Sequence, residues 1–349
     1  MKIASIAGIA FAITMMICGS LSAISSNDTT LRVGYSDFTA TGSCPTYLET
    51  AQAGYNMIIQ GFGTITGSEL SISDSAYGPY WKQGASAAEM KNAMMKGISE
   101  AKAKFPDLKI FLSVGGENNT YKTDPTTDYA TLANNIVNFL KSSGFDGIDF
   151  DLEIVLGTNG AANFEKLVTC IKAHSPETLV SIAPQSGYIN TPEGYAWRDG
   201  KNVYWIGKFV TTQCDYGYDQ ALNAGKIDYV FCQFYNQPNC YITSDEKQSW
   251  QNGFNNTQIQ WVSSWIDAYN RGVGQTTLPN PPTNKFTLVV GLPSSRQAAG
   301  TSIWTAPSEP SPGSIRAALQ KLPNYKGAMT WSTNDDKANK WRMVSQVMP

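Results

Sequence analysis

Histidine is nearly missing from this chain: one, His174, in 349 residues. A single imidazole cannot build a His-rich zinc site. His174 also falls at the end of a helical pattern, a poor place from which to serve a Ser/His/Asp triad. Charge is scarce as well, at 15% of residues against roughly 25% in an average soluble protein. Lys+Arg 26 against Asp+Glu 28 gives a net charge of −2, so no basic field exists to hold a nucleic-acid backbone, and a nucleic-acid partner is excluded. No Gly-rich phosphate loop follows the first strand pattern, which argues against a dinucleotide site. Beyond the first two dozen residues no run is long and apolar enough to span a bilayer.

Those first residues read as a leader. Lys2 precedes a mostly apolar run over 3–17, and the small residues Gly19, Ser20, Ser22 and Ala23 follow. A short charged end, an apolar core and small residues after it describe a secretory signal, with cleavage expected near Ala23. Residues 1–23 are therefore assigned to the leader and 30–349 to one domain, secreted and without a membrane partner once the leader is gone. Five cysteines remain, Cys44, Cys170, Cys214, Cys232 and Cys240. An odd number in an oxidising compartment leaves at least one unpaired within the chain. Asn27, Asn118 and Asn255 each open an Asn-x-Thr sequon.

What the chain has is alternation. Short β-rich runs recur at 32–38, 57–65, 109–116, 147–153, 179–186, 229–236, 286–293 and 327–333. Helical patterns lie between them. Residues 86–104 open with Ser86 as N-cap and Glu89 three positions on, then place Met90, Met94, Ile98 and Ala101 on one face. Residues 128–141 carry Leu132, Ile136 and Leu140 to a stop at Gly144. Phe164, Leu167, Val168 and Ile171 repeat the spacing, as do Ile259, Val262, Ile266 and Tyr269. Asp335 and Asp336 suit the first turn of a last helix. Eight strands separated by helices point to an α/β fold, a (β/α)8 TIM barrel in one domain, with a doubly wound open sheet as the alternative.

The fourth run carries the chemistry. With a side-chain period of two, Asp149, Asp151 and Glu153 share one face while Ile148, Phe150 and Leu152 share the other. The aliphatic face must meet the helices, so the three acids point into the barrel and stack toward its C-terminal mouth. Three ionised carboxylates there would repel one another and lack water, so some must hold protons. Glu153, at the mouth, is the expected proton donor. In the sixth run the same parity puts Phe231, Gln233 and Tyr235 inside and Cys232 and Phe234 toward helices, so Cys232 is expected as a buried free thiol. Cys170, on an apolar helix face, reads the same way.

The segment Asp146-Gly147-Ile148-Asp149-Phe150-Asp151-Leu152-Glu153 resembles the Asp-x-x-Asp-x-Asp-x-Glu signature of the family 18 glycoside hydrolases, the chitinases. Ser113-Val114-Gly115-Gly116 resembles that family's Ser-x-Gly-Gly strand end. The stretch from Tyr229 to Pro238, Ala183-Pro184-Gln185 and Met329-Thr330-Trp331-Ser332 are similar to the sixth, fifth and eighth strands of its plant class III and fungal branch.

The resemblance implies an enzyme without cofactor or metal, acting as a monomer on chitin or N-acetylglucosamine oligomers. Glu153 would be the acid, Asp151 the group that orients the substrate's 2-acetamido arm, Asp149 its proton partner, and Tyr235 a donor to the acetamido oxygen. Trp331 would form the sugar floor. In the branch, a cysteine after the sixth strand pairs with one beside the fifth-strand Pro-Gln, where this chain has Ser186. That departure puts the branch's bridge in doubt, and Cys214 with Cys240, both in mouth-side loops, is the candidate pairing that stays open. Tyr35, Gln60, Gln185, Gln233 and Asn236 are candidate substrate-binding groups by their places near strand ends; for Tyr35, Gln60, Gln185 and Asn236 a scaffold role stays equally open. Tyr188, Trp197 and Trp205 are open to subsite or surface roles. An endo-β-N-acetylglucosaminidase or a non-catalytic glycan-binding relative are the alternative functions. The 33 residues between Pro293 and Gly327 leave no room for the small insertion domain of some family members.

Overall fold

The computed structural model describes residues 30–37, 44–72, 74–118, 120–153, 159–184, 190–191, 194–195, 197–198, 201–202, 218–235, 240–241, 249–250, 286–295, 298, 311–322 and 325–348. The expected leader over 1–23 lies outside these residues. So do Gln185, Asn236 and Cys214, and with Cys214 the candidate Cys214–Cys240 pairing.

Eight strands form the centre: β1 (Leu31–Asp37), β2 (Met57–Thr66), β3 (Lys109–Gly115), β4 (Gly147–Asp151), β5 (Leu179–Ile182), β6 (Tyr229–Gln233), β7 (Thr287–Pro293) and β8 (Gly327–Trp331). Each pairs in parallel with the next, and β8 pairs back onto β1, so the sheet closes into a (β/α)8 barrel. Closure leaves no edge, and helices outside bury the second face. The strands consequently read as continuous apolar runs except where a polar residue has a task.

Several helices begin or end where the sequence places a cap. Among the described residues the α-helices are α1 (Tyr47–Ala53), α2 (Ala87–Lys104), α3 (Tyr129–Ser143), α4 (Gly160–His174), α5 (Asp219–Asn223), α6 (Pro312–Gln320) and α7 (Thr333–Ala338). Ser86 and Glu89 close a reciprocal capping box on α2, as Thr46 and Glu49 do on α1. Asp128 caps α3, and Gly144 ends it in the left-handed region at φ 84°. Met90, Met94, Ile98 and Ala101 of α2 are all buried. Among the described residues no helix is long and apolar enough to cross a membrane.

The barrel floor repeats one device. Asn56, Asp146 and Asp228 each stand just before an even-numbered strand, and each side chain accepts the N–H of an early residue in the preceding strand. The pairs are Arg32 N to Asn56 Oδ1 (2.8 Å), Ile110 N to Asp146 Oδ2 (2.8 Å) and Val180 N to Asp228 Oδ2 (2.7 Å). Lys102 and Lys172 neutralise the two aspartates. Asp146, the first acid of the fourth-strand segment, is thus a floor anchor far from the mouth.

At the mouth several strands stop short of their sequence patterns. β4 ends at Asp151 rather than Glu153, β5 at Ile182 and β6 at Gln233. The alternation continues past the last rung, because inward residues beyond it still face the barrel axis. The backbone itself has already left the ladder.

Candidate active site

Asp149 lies at the centre of the barrel and is fully buried. The register sets Ser113 of β3 and Ser181 of β5 directly beside it. Oδ1 accepts the Ser181 hydroxyl at 2.7 Å; Oδ2 accepts Ser113 at 2.7 Å and the Tyr35 hydroxyl, from β1, at 2.8 Å. Burial pushes its carboxyl above the ordinary range, and the three hydroxyl donors pull it back down.

Asp151, one turn of the pleat higher, has less help. Its Oδ1 accepts one N–H of Gln233 at 3.0 Å; the same amide nitrogen donates to the Ala183 carbonyl at 3.0 Å. Burial, then the charges of Glu153 and Asp149, raise its carboxyl well above the ordinary range, against only the Gln233 bond. With three donors on Asp149 and one on Asp151, the charge of this pair belongs on Asp149 and the proton on Asp151.

Glu153 follows the strand end and is partly open. Desolvation raises its carboxyl, contact with Gln233 opposes this, and the exposed Glu117 in the turn after β3 raises it further. Tyr235 is buried just beyond β6; burial first, then the charges of Asp151, Glu153 and Asp149, push its phenol well above the ordinary value, so it stays a neutral donor. The site therefore combines an acid at the mouth and a buried acid pair, all with carboxyls raised by burial, beside a phenol: equipment for acid–base work on a neutral substrate. Among the described residues no three His, Cys, Asp or Glu side chains converge as a metal-ligand set.

Two glycines let β3 turn off beside these acids. A Cβ on Gly115 (φ 115°) would lie 2.0 Å from the Asp151 carbonyl oxygen, and one on Gly116 (φ 67°) would strike the Phe62 ring at 2.9 Å. The Gly116 N–H binds that same carbonyl at 2.7 Å. Phe62 stacks on Trp331 with ring centroids 6.0 Å apart, and Trp331 also leans on Tyr35 at 6.0 Å. Phe62 and Trp331, half-buried at the mouth, form an aromatic floor.

Gln60, open from the sequence to either a sugar-binding or a scaffold role, sits among backbone carbonyls. It is fully buried, its amide N–H groups go to the Ser36 and Gly61 carbonyls, and Gly78 lies against it. Its bond to the Ser36 carbonyl ties β2 to β1. Tyr35 and Gln233, expected as sugar contacts, are also buried, with their donors directed at Asp149 and Asp151. Cys232 is a buried free thiol; Cys44 and Cys170 are free and half-buried.

Three site residues escape the sequence reading. Ser181 is legible only as a lone hydroxyl in an apolar strand, at the register of Asp149. Phe62 is hidden by the register shift of β2 between Gln60 and Gly63, which breaks the alternation there. Tyr218 donates to the Phe150 carbonyl at 3.0 Å and accepts the Leu152 N–H at 2.8 Å; its separation from β4 in sequence conceals it.

Comparison with known proteins agrees with this picture. The sequence pattern of the glycosyl hydrolases family 18 matches residues 32–302. An acidic endochitinase of Cicer arietinum is 25% identical over 240 residues, 66% of this chain and 64% of that protein. Endochitinase 37 of Trichoderma harzianum is 26% identical over 304 residues, 83% of this chain and 78% of that one. The matched stretch thus spans a little under two thirds of the chickpea protein and more of the fungal one. Among solved structures, a putative chitinase A from Streptomyces coelicolor superposes with a TM-score of 0.62 at 19% identity, covering 91% of this chain and 97% of that one.

Proposed function

The chain belongs to family 18 of the glycosyl hydrolases, and from that premise we propose that it is a secreted chitinase that cuts β-1,4 bonds between N-acetylglucosamine units by a retaining, substrate-assisted route. The observation that carries the reading is the graded acid ladder: Asp149 held by three hydroxyls, Asp151 by one amide, and Glu153 at the mouth.

The steps are those that family membership implies, assigned to these residues, and the gradient supports the assignment. Glu153 gives its proton to the glycosidic oxygen as the bond from that oxygen to the anomeric carbon breaks. The oxygen of the substrate's own 2-acetamido group bonds to the anomeric carbon, forming a cyclic oxazolinium ion, so no protein nucleophile is needed. Asp151 accepts the acetamido N–H and offsets the positive charge, sharing its proton with Asp149 as it does so. Tyr235 donates to the acetamido oxygen and orients it for attack. Glu153, now a carboxylate, takes a proton from water as the water oxygen opens the ring. Two inversions at one carbon leave the configuration unchanged. Trp331 and Phe62 supply the apolar floor under the ring whose bond is cut.

The 33-residue connection between Pro293 and Gly327, with α6 its described helix, supports an open groove and cutting at internal bonds. The leader pattern over residues 1–23 supports export. The same catalytic groups would serve an endo-β-N-acetylglucosaminidase. A side-by-side assay with chitin oligomers, an N-glycoprotein and peptidoglycan, products identified by mass, separates the two. Cleavage of chitin oligomers, with a fully N-deacetylated oligomer untouched, is the expected result; release of N-glycans with intact chitin would overturn the substrate assignment.

A further inference from the structure

Catalytic strand β4 lacks a rung where it matters most. Beyond the Phe150–Ile182 pair, β5 has left the ladder, although Ala183 N still donates to the Phe150 carbonyl at 3.2 Å. The Ala183 carbonyl, the neighbouring acceptor on the β5 side, is held by Gln233, which uses its second N–H on Asp151. The Leu152 N–H therefore needs another acceptor, and it lies midway between the two acids that the proposed chemistry uses.

We propose that Tyr218 is a positioning residue for the reaction, its hydroxyl standing in for the missing rung and fixing the backbone that spaces Asp151 from Glu153. The hydroxyl suits the place because it gives and takes at once: it donates to the Phe150 carbonyl at 3.0 Å and accepts from Leu152 N at 2.8 Å. A phenylalanine could do neither. The ring is fully buried and held behind the barrel wall, edge-on to Phe164 of α4 at 5.5 Å, while Phe164 is edge-on to Phe150 at 5.0 Å. This three-ring stack fixes the hydroxyl from the side away from substrate. The Gly116 N–H holds the Asp151 carbonyl from the β3 side. The peptide units on either side of Asp151 are thus clamped from both flanks. The Tyr218 hydroxyl also leaves the Ala183 carbonyl to Gln233, so it acts on Asp151 indirectly as well.

The inference rests on the chitinase reading, and the test is built so that the two fail separately. Tyr218→Phe removes one oxygen. Turnover of chitin oligomers, normalised to folded protein, is expected to fall about tenfold or more. Oligomer affinity in a Glu153→Gln background should stay within about twofold when Tyr218→Phe is added. The alkaline limb of the rate profile should also move to lower pH, because a loosened strand end admits water to Glu153, which Asp151, Glu117, Tyr235 and Tyr218 face. A packing control, Ile315→Ala on α6 across the barrel, should lower stability and leave that limb in place. Unchanged turnover and pH profile in folded Tyr218→Phe overturn the inference. Amide exchange in the wild-type protein keeps it testable if the variant does not fold: the Leu152 N–H should be protected, and fast exchange there overturns the clamp. If the wild-type protein does not cut chitin, the functional reading fails, and Leu152 protection still decides the clamp.

Discussion

The Tyr35 hydroxyl crosses from β1 to β4 and donates to Asp149 Oδ2 at 2.8 Å. That bond, with those from Ser113 and Ser181, separates the roles of two aspartates two residues apart. Without such donors Asp149 would hold a proton more tightly and compete with Asp151 for it.

Tyr35→Phe removes one of the three donors while keeping the ring against Trp331. Asp149 should then hold a proton more readily and compete with Asp151 for it. Turnover is expected to fall roughly tenfold, since a hydrogen bond to a charged group is worth ~1.5–3 kcal/mol, with the fold intact by circular dichroism. A rate within twofold of the wild type would remove Tyr35 from the proton-holding set.

Asp151→Asn should make the protein more stable and inactive. The folded-state carboxyl lies above its unfolded value near 3.8, so the native state binds the proton more tightly. Burial of this acid therefore costs stability above about pH 4 and nothing below it. A rise in Tm of roughly 2–5 °C is expected at pH 7, shrinking toward zero near pH 3.5. Calorimetry at the two pH values checks this; an equal gain at both would place the effect in packing, not in charge.

Glu117→Gln should move the alkaline limb of the rate profile down. The Glu117 charge helps to keep the Glu153 proton on. Without it the acid titrates at lower pH, and the falling limb follows, while the acidic side keeps its place. An unmoved limb would show that Glu117 does not reach Glu153 through solvent.

Trp331→Ala should act on binding. Loss of the ring that stacks on Phe62 removes the apolar floor, and KM for chitin oligomers is expected to rise about tenfold with kcat less affected. A loss confined to kcat would make Trp331 a packing residue for Tyr35 instead.

Much of this site is legible in the sequence because strand parity is strict. Asp149, Asp151 and Glu153 alternate with Ile148, Phe150 and Leu152, and a closed barrel has only one face for the acids. Ser86 with Glu89, and Gly144 after Leu140, marked helix ends through local backbone chemistry alone. Gln60 shows the limit: its position near a strand end was visible, but the Ser36 and Gly61 carbonyls that take its N–H groups come from chain geometry. Ser181 and Tyr218 are hidden for the same reason, since the groups they serve lie 32 and 68 residues away. The sequence pattern runs past the strand ends because a period of two describes where side chains point and not where hydrogen bonds stop.

The central claim is that Glu153 is the acid that breaks the bond. Glu153→Gln keeps size and the neighbourhood of Gln233 but has no proton to give. Single-turnover rates on chitin oligomers, with oligomer affinity measured on the same protein, test it most directly. The account predicts a rate loss of about a thousandfold or more with affinity within a few-fold. A folded Glu153→Gln protein that still cuts within tenfold of the wild-type rate would contradict it.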